Sequence, residues 1–170
     1  LFVDPKVRAE FEDPDGEAAY SVGMLNRIID GVEGIRLALH LCRRNKGRAG
    51  WVGEGGYEPI LPALSELQFD MVMLEFAIPV AGDIRVLRDL PERFDIGLGC
   101  VDCRSAHVDT PEEIAARVRQ ALDYVAPERI TLHPDCGFAP GSAADIPIDE
   151  AYQKLRNEAL AAEILRSEHS

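Results

Sequence analysis

The feature that most constrains the fold is an alternation of short apolar runs with amphipathic stretches. Five runs are predicted to be strands: LFVD (1–4), GIRLALHLC (34–42), DMVMLEFA (70–77), DIGLGCVD (95–102) and RITLHPDCG (129–137). Near-continuous apolar strands separated by helices are typical of a parallel sheet covered on both faces. The pattern therefore predicts an α/β fold, either a small doubly wound sheet or the second half of an eight-stranded barrel.

The stretches between these runs have helical spacing. Helices are predicted over 21–32, 57–67, 83–91 and 148–166, from the intervals of their apolar residues. A further helix begins after Thr110, with Thr110 as N-cap, Pro111 in the first turn and Glu113 at the capping-box position. We expect the acidic stretch 10–17 to be a solvated loop.

Length and charge narrow the class of protein. The 170 residues suit one domain, and a net charge of −12 argues against nucleic acid or an anionic membrane surface as partner. No apolar stretch reaches the roughly 20 residues of a membrane span, and the start does not resemble a signal peptide. The four cysteines are too few for a disulfide scaffold. We therefore expect reduced thiols and a cytoplasmic location.

Polar side chains stand at the ends of the predicted strands. The five ends carry Asp4, then His40 with Cys42, then Glu75, Asp102 and Cys136. Because α/β folds place their sites at the carboxyl ends of parallel strands, we expect these side chains to meet at one edge of the sheet.

Two of these residues, His40 and Cys42, are spaced to share a ligand. Residues two apart in a strand point to the same face, so both side chains can reach one metal ion. With Glu75 and Cys136 they form a set that suits Zn²⁺ better than Ca²⁺ or Mg²⁺. His40 and Cys42 alone would equally fit side chains that fill a core.

Several segments, in order, resemble a known family. HLCRRN, EGGYEPILPALSEL, LEFAIPVAGDIRVLRDLP, IGLGCVD, HPDCGF and KLRNEALAA look like the catalytic domain of cobalamin-independent methionine synthase and its short relatives, which include epoxyalkane:coenzyme M transferase. The resemblance implies the second half of a (β/α)₈ TIM barrel with about five β/α units. Residues 1–170 would then form a single catalytic-domain portion, without the N-terminal part of the barrel.

The resemblance also implies a chemistry. Zinc held by His40, Cys42, Glu75 and Cys136 would present a homocysteine-like thiol as a zinc thiolate to a methyl or alkyl donor. Three residues are expected at the substrate pocket: Asp4 and Asp102 along its walls, and Arg43 from the basic segment RRNKGR (43–48), which could receive an anionic group or be a solvated loop.

Two departures from the family pattern bear on the identity of the methyl or alkyl donor. The family's DEP-type segment corresponds here to FVDP, without the Glu. Arg104 stands where methionine synthases carry a proton-donating His, and His107 follows three residues later. Either residue is a candidate to protonate the leaving group.

Two functions follow from these expectations. The first is a zinc-dependent thiol methyltransferase or alkyltransferase acting on small anionic molecules, like methionine synthase or, alternatively, like epoxyalkane:coenzyme M transferase. The second is non-enzymatic: a zinc-binding structural or regulatory half-barrel subunit. In both, five β/α units cannot close an eight-stranded barrel, so we expect a complementing N-terminal half-barrel or a homo-oligomer.

Overall fold

The computed structural model describes residues 2–139 and 146–169. Four strands form one parallel sheet in the order β1-β2-β3-β4: Ala38–Leu41, Met71–Glu75, Asp95–Val101 and Ile130–Pro134. Five α-helices, α1 to α5, span Pro5–Arg8, Pro14–Ile29, Leu61–Leu64, Pro111–Leu122 and Ile148–Glu168. Short 3₁₀ helices lie at Gly47–Ala49, Glu58–Ile60, Pro79–Ala81, Ile84–Asp89 and Pro127–Arg129.

One face of the sheet packs into the hydrophobic core. Its fully buried strand residues are Val72, Leu74, Ile96, Leu98 and Cys100. Helix α4 contributes buried apolar residues such as Ile114 and Val118, and α5 contributes Ala161 and Leu165. Because the four strands are parallel, all four carboxyl ends lie along one edge of the sheet.

The expected first strand is not present. Residues 2–4 form a turn, and helix α1 begins at Pro5. Asp4 caps this helix by accepting a hydrogen bond from the backbone N–H of Lys6, and a proline at the first position is preorganised for a helical start. The described residues therefore contain four strands, not five.

The acidic stretch 10–17 is also only partly a loop. Helix α2 begins at Pro14, seven residues before the predicted start. The Asp13 carboxylate accepts a hydrogen bond from the Gly16 N–H at 2.9 Å, and Asp15 and Glu17 lie in the first turn, where negative charge favours the helix dipole.

The capping prediction for helix α4 is confirmed. The side chain of Thr110 accepts from the Glu113 N–H, and the Glu113 carboxylate accepts from the Thr110 N–H at 2.7 Å. The short helical segments predicted near 57–67 and 83–91 and the long C-terminal helix are also present. No helix within the described ranges is long and apolar enough to cross a membrane.

Candidate metal centre

Four potential metal ligands converge at the carboxyl edge of the sheet. His40 lies in β1 and Cys42 directly follows it, Glu75 ends β2, and Cys136 lies two residues beyond β4. One ligand atom from each lies within 4.8 Å of the others. The two sulfur atoms are 3.7 Å apart, and His40 Nε2 lies 3.7 Å from Glu75 Oε1.

The state of these side chains suits a bound cation. His40 Nε2 is buried and has no hydrogen-bond partner in the described part of the chain. Burial lowers the pKa of His40 despite the nearby Glu75 carboxylate, which favours the neutral, metal-binding imidazole. Burial raises the pKa of Cys136 to about 11, and the neighbouring Cys42 adds to the rise, so this pair would become thiolates only with a cation between them. One imidazole, two thiols and one carboxylate are donors that suit Zn²⁺.

The carboxylate of Glu75 is fully buried and held on both oxygens. Oε1 accepts a hydrogen bond from the backbone N–H of Arg43 at 3.1 Å, and Oε2 accepts one from the Arg104 guanidinium at 2.6 Å. The phenol of Tyr57 accepts a hydrogen bond from the Glu75 backbone N–H at 2.9 Å. Only a paired carboxylate is tolerated at such burial.

Arg104 also contacts a second buried acid, Asp135. Its Nη1 lies 3.3 Å from Asp135 Oδ2, and Asp135 Oδ1 accepts hydrogen bonds from the N–H groups of Phe76 and Ala77. Burial raises the pKa of Asp135 to about 7. The sequence interpretation missed Asp135, although it directly precedes the ligand Cys136 in HPDCGF.

The contacts of Arg104 do not suit a proton donor. Burial opposes its charge, but the carboxylate of Glu75, the neighbouring Cys103 and Asp135 raise the pKa of Arg104 overall. A guanidinium with these partners keeps its proton at neutral pH. Its position beside Glu75 favours holding a ligand in place.

The three expected pocket residues have different surroundings. Asp102 is the most open, and its carboxylate accepts hydrogen bonds from the N–H groups of Arg104 and Ser105. Asp4 is buried, and backbone hydrogen bonds from Glu54 and Lys6 lower the pKa of its carboxyl.

Arg43 is 1 % exposed. Its guanidinium lies 4.8 Å from the Tyr57 ring centroid and donates to the Ala81 carbonyl. The contacts of Arg43 and those of Asp4 fit residues that support the walls of the site.

His107 lies apart from the four ligands. Its side chain is 64 % exposed and stands near Asp109 and Glu113. These three could also face a cation, but Asp109 pairs with Arg117 and Glu113 closes the capping box. Their arrangement is explained without a second metal.

The family is shown by a sequence match. A family model described as the catalytic domain of cobalamin-independent synthase matches residues 29–163. The chain belongs to this family. The methionine synthase of Thermococcus kodakarensis is 30% identical over 167 residues, which are 98% of this chain and 44% of that protein. The methionine synthase of Pyrococcus horikoshii is 29% identical over 99% of this chain and 44% of its own length.

Two solved structures have a similar fold. A B12-independent methionine synthase from a Shewanella species, in complex with selenomethionine, superposes with a TM-score of 0.74 at 23% identity, over 88% of this chain and 43% of that one. A putative B12-independent methionine synthase from Listeria monocytogenes superposes with a TM-score of 0.62 at 21% identity, over 89% of this chain and 42% of that one. The chain thus has the fold of part of a TIM barrel and spans less than half the length of the relatives it matches.

Proposed function

We propose that this chain supplies the metal-binding half of a zinc-dependent thiol methyltransferase, which transfers a methyl group to a homocysteine-like thiol. The observation that carries the proposal is the convergence of His40, Cys42, Glu75 and Cys136, with ligand atoms within 4.8 Å of one another. The Thermococcus and Pyrococcus relatives, both named methionine synthase, support the choice of thiol.

Bound at this site, a zinc ion would lower the pKa of an incoming thiol and so supply a thiolate nucleophile at neutral pH. The four side chains would hold the ion, with Glu75 as the replaceable ligand. Arg104 donates to Glu75 Oε2, so this carboxylate has a charged partner within the protein in addition to any metal it would hold.

In the proposed reaction a carbon–sulfur bond forms at the thiolate and the bond between the methyl group and its donor breaks. The departing donor then takes up a proton. His107 is our candidate for this proton, because histidine is the side chain that most often acts as a general acid and this one is exposed in the loop after β3. Asp102 would line the pocket beside the ligands.

The methyl donor is the part of the proposal on which the alternatives differ. The methionine synthase relatives favour a methyl donor over an epoxide. Replacing homocysteine by coenzyme M in the same assays distinguishes an activity of the epoxyalkane:coenzyme M transferase type. The exposed Arg44 and Lys46, close to Cys42 in the chain, would favour an anionic donor or thiol.

Zinc-edge X-ray absorption of the zinc-loaded protein, with and without homocysteine, tests the proposal. We expect two sulfur ligands without the thiol and three with it, at the expense of an oxygen ligand. Cys136→Ser should lower zinc content, whereas Cys100→Ala, a buried cysteine outside the four-ligand cluster, should retain it. Zinc that gains no sulfur ligand would favour the structural half-barrel subunit instead.

We also propose that a complementing N-terminal half-barrel packs against this chain. The described residues leave β1 and β4 as open sheet edges. Helix α2 exposes Tyr20, Met24 and Ile28 at intervals of four residues, and α5 exposes Ile148, Tyr152 and Leu155. Matched relatives more than twice as long supply a suitable occupant.

We propose a cytoplasmic location for this chain. A reducing cytoplasm would keep the four free thiols and the substrate thiol available.

A further inference from the structure

The three residues after Cys42 form hydrogen bonds with two candidate ligands and with the residue that follows a third. The backbone N–H of Arg43 donates to Glu75 Oε1 at 3.1 Å, and that of Arg44 donates to Cys42 Sγ at 3.2 Å. The side-chain amide of Asn45 donates to the carbonyl of Gly137 at 2.8 Å, which lies directly after Cys136. Each contact therefore lies at a different candidate ligand or directly next to one.

The backbone of Arg44 is in an unusual conformation. Its φ of 58° makes it the one non-glycine residue with positive φ in the described part of the chain. A side chain disfavours this left-handed region, so such a residue persists only where its surroundings hold it. Successive backbone N–H groups with a left-handed residue form a small concave site for anions. Here such a site faces the Glu75 carboxylate and the Cys42 sulfur.

We propose that Arg43–Asn45 is a positioning segment that arranges Cys42, Glu75 and Cys136 for the metal. The left-handed Arg44 aims its N–H at the Cys42 sulfur, and Asn45 fixes the loop that carries Cys136. The inference rests on the proposed function, since Cys42, Glu75 and Cys136 are its metal ligands.

The side chains in this segment support a role within the protein. The Arg43 guanidinium is buried against Tyr57 and bonded to the Ala81 carbonyl. The amide of Asn45 also donates to Cys103 Sγ at 3.2 Å, and its oxygen accepts from the Gly47 N–H. Both side chains are thus tied to protein groups around the candidate site.

A matched pair of variants in the full chain tests the inference. Arg44→Gly and Arg44→Val both remove the guanidinium, but glycine accepts positive φ whereas a β-branched residue strongly resists it. We expect Arg44→Gly to bind Zn²⁺ within about twofold of the unaltered chain and Arg44→Val to bind it at least tenfold more weakly. The thiolate-to-Co²⁺ charge-transfer band of the cobalt-loaded protein should change in the valine variant and persist in the glycine variant.

Two further variants keep the test decisive. Arg44→Ala, with less strain than valine, should give an intermediate Zn²⁺ affinity, and it replaces the valine variant if that one unfolds. Asn45→Ala should also weaken Zn²⁺ binding. Equal affinities and spectra for the glycine, alanine and valine variants would overturn the inference. The proposed function fails on a different observation, zinc that gains no sulfur ligand from homocysteine, which leaves this comparison unaffected.

Discussion

Gly99, in the middle of the sheet, leaves the space that the buried acid Asp135 occupies. A Cβ atom at Gly99 would lie 2.5 Å from Asp135 Oδ1 and 2.7 Å from the Leu74 carbonyl oxygen. We expect Gly99→Ala to lower the free energy of unfolding by about 1–3 kcal/mol, as overpacking of a buried site does. Because Asp135 holds the backbone after Glu75, Zn²⁺ affinity should fall as well.

Chemical denaturation and a zinc competition assay measure these two effects. Gly23→Ala is the control, since nothing lies within 4 Å of a Cβ atom there and Gly23 is in helix α2. It should be neutral or stabilising by up to about 1 kcal/mol. Equal stabilities for the two variants would show that the site around Asp135 can accommodate a side chain at position 99.

Glu158 on helix α5 should make stability depend on pH. Burial raises the pKa of its carboxyl to about 7, and its Oε2 has no hydrogen-bond partner among the described residues. The folded state therefore keeps a proton that the unfolded chain releases near pH 4.5, so stability falls as pH rises from about 4.5 to 7.

Glu158→Gln removes this ionisation. We expect it to raise the free energy of unfolding at pH 8 by about 1–2 kcal/mol, since the carboxyl is only partly buried, and to have little effect at pH 4.5. Denaturation curves at the two pH values measure the difference. Glu163→Gln, an exposed acid in the same helix, should show no such dependence. If Glu158→Gln changed stability equally at both pH values, ionisation of the Glu158 carboxyl would not be the cause of the pH dependence.

At the scale of single residues, the sequence allowed the ligand positions to be predicted but not their partners. His40 and Cys42 follow from the two-residue period of a strand, and Glu75 and Cys136 from the ends of apolar runs. The Glu75–Arg104 and Arg104–Asp135 contacts join residues 29 and 31 positions apart. No local pattern encodes such pairs. Arg104 was considered as a proton donor only from its position in the family resemblance, which says nothing of its partners in this chain.

Helix α5 is joined to the loop after β3 by one buried cation. The Lys154 side chain is fully buried and donates to the carbonyls of Asp102 and Ser105, and it lies 3.0 Å from Glu150 Oε1. These contacts fix the loop on which Arg104 stands. The sequence placed Lys154 on a helix that looks amphipathic, where a lysine is ordinarily solvated.

We expect Lys154→Met to lower the free energy of unfolding by about 3 kcal/mol, because it leaves two buried carbonyls and part of Glu150 without their donor. Thermal and chemical denaturation measure this loss. Arg156→Met, an exposed residue of the same helix, should change stability by less than about 0.5 kcal/mol. Similar effects of both substitutions would mean that Lys154 does not anchor the loop.

Element boundaries were predicted best where the signals are local. The Thr110 capping box marked the start of α4 correctly, because its hydrogen bonds join neighbours in the chain. The start of α2 was missed, since the acids of 10–17 were interpreted as a loop although Asp13 and Pro14 are a cap and a first-turn residue. LFVD was predicted to be a strand because its residues are apolar. Apolar residues alone do not supply the neighbouring strand that a sheet needs.

The oligomeric state tests the whole-molecule proposal. With two open sheet edges and two exposed apolar stripes, the isolated chain should self-associate, and a complementing half-barrel should convert it into a one-to-one complex. Light scattering after size exclusion, with and without the N-terminal half of the Thermococcus relative, measures the masses.

Two outcomes would contradict this proposal. A stable monomer would show that the chain needs no second half. A dimer whose mass is unaffected by the added half would show that a second copy covers the edges instead. Lysine substitutions at Met24 and Ile28 in α2 provide the matched variant, because charge on this stripe should prevent the one-to-one complex.

The sequence by itself determined the β/α alternation, the parallel sheet and the four candidate ligands, because these depend on periods of two or 3.6 residues and on where apolar runs end. The tertiary structure decided how those ligands are supported. The left-handed Arg44, the buried Arg43 and the pairing of Glu75 with Arg104 arise only when distant segments pack together. The physical reason is that burial and charge pairing are properties of three-dimensional neighbours.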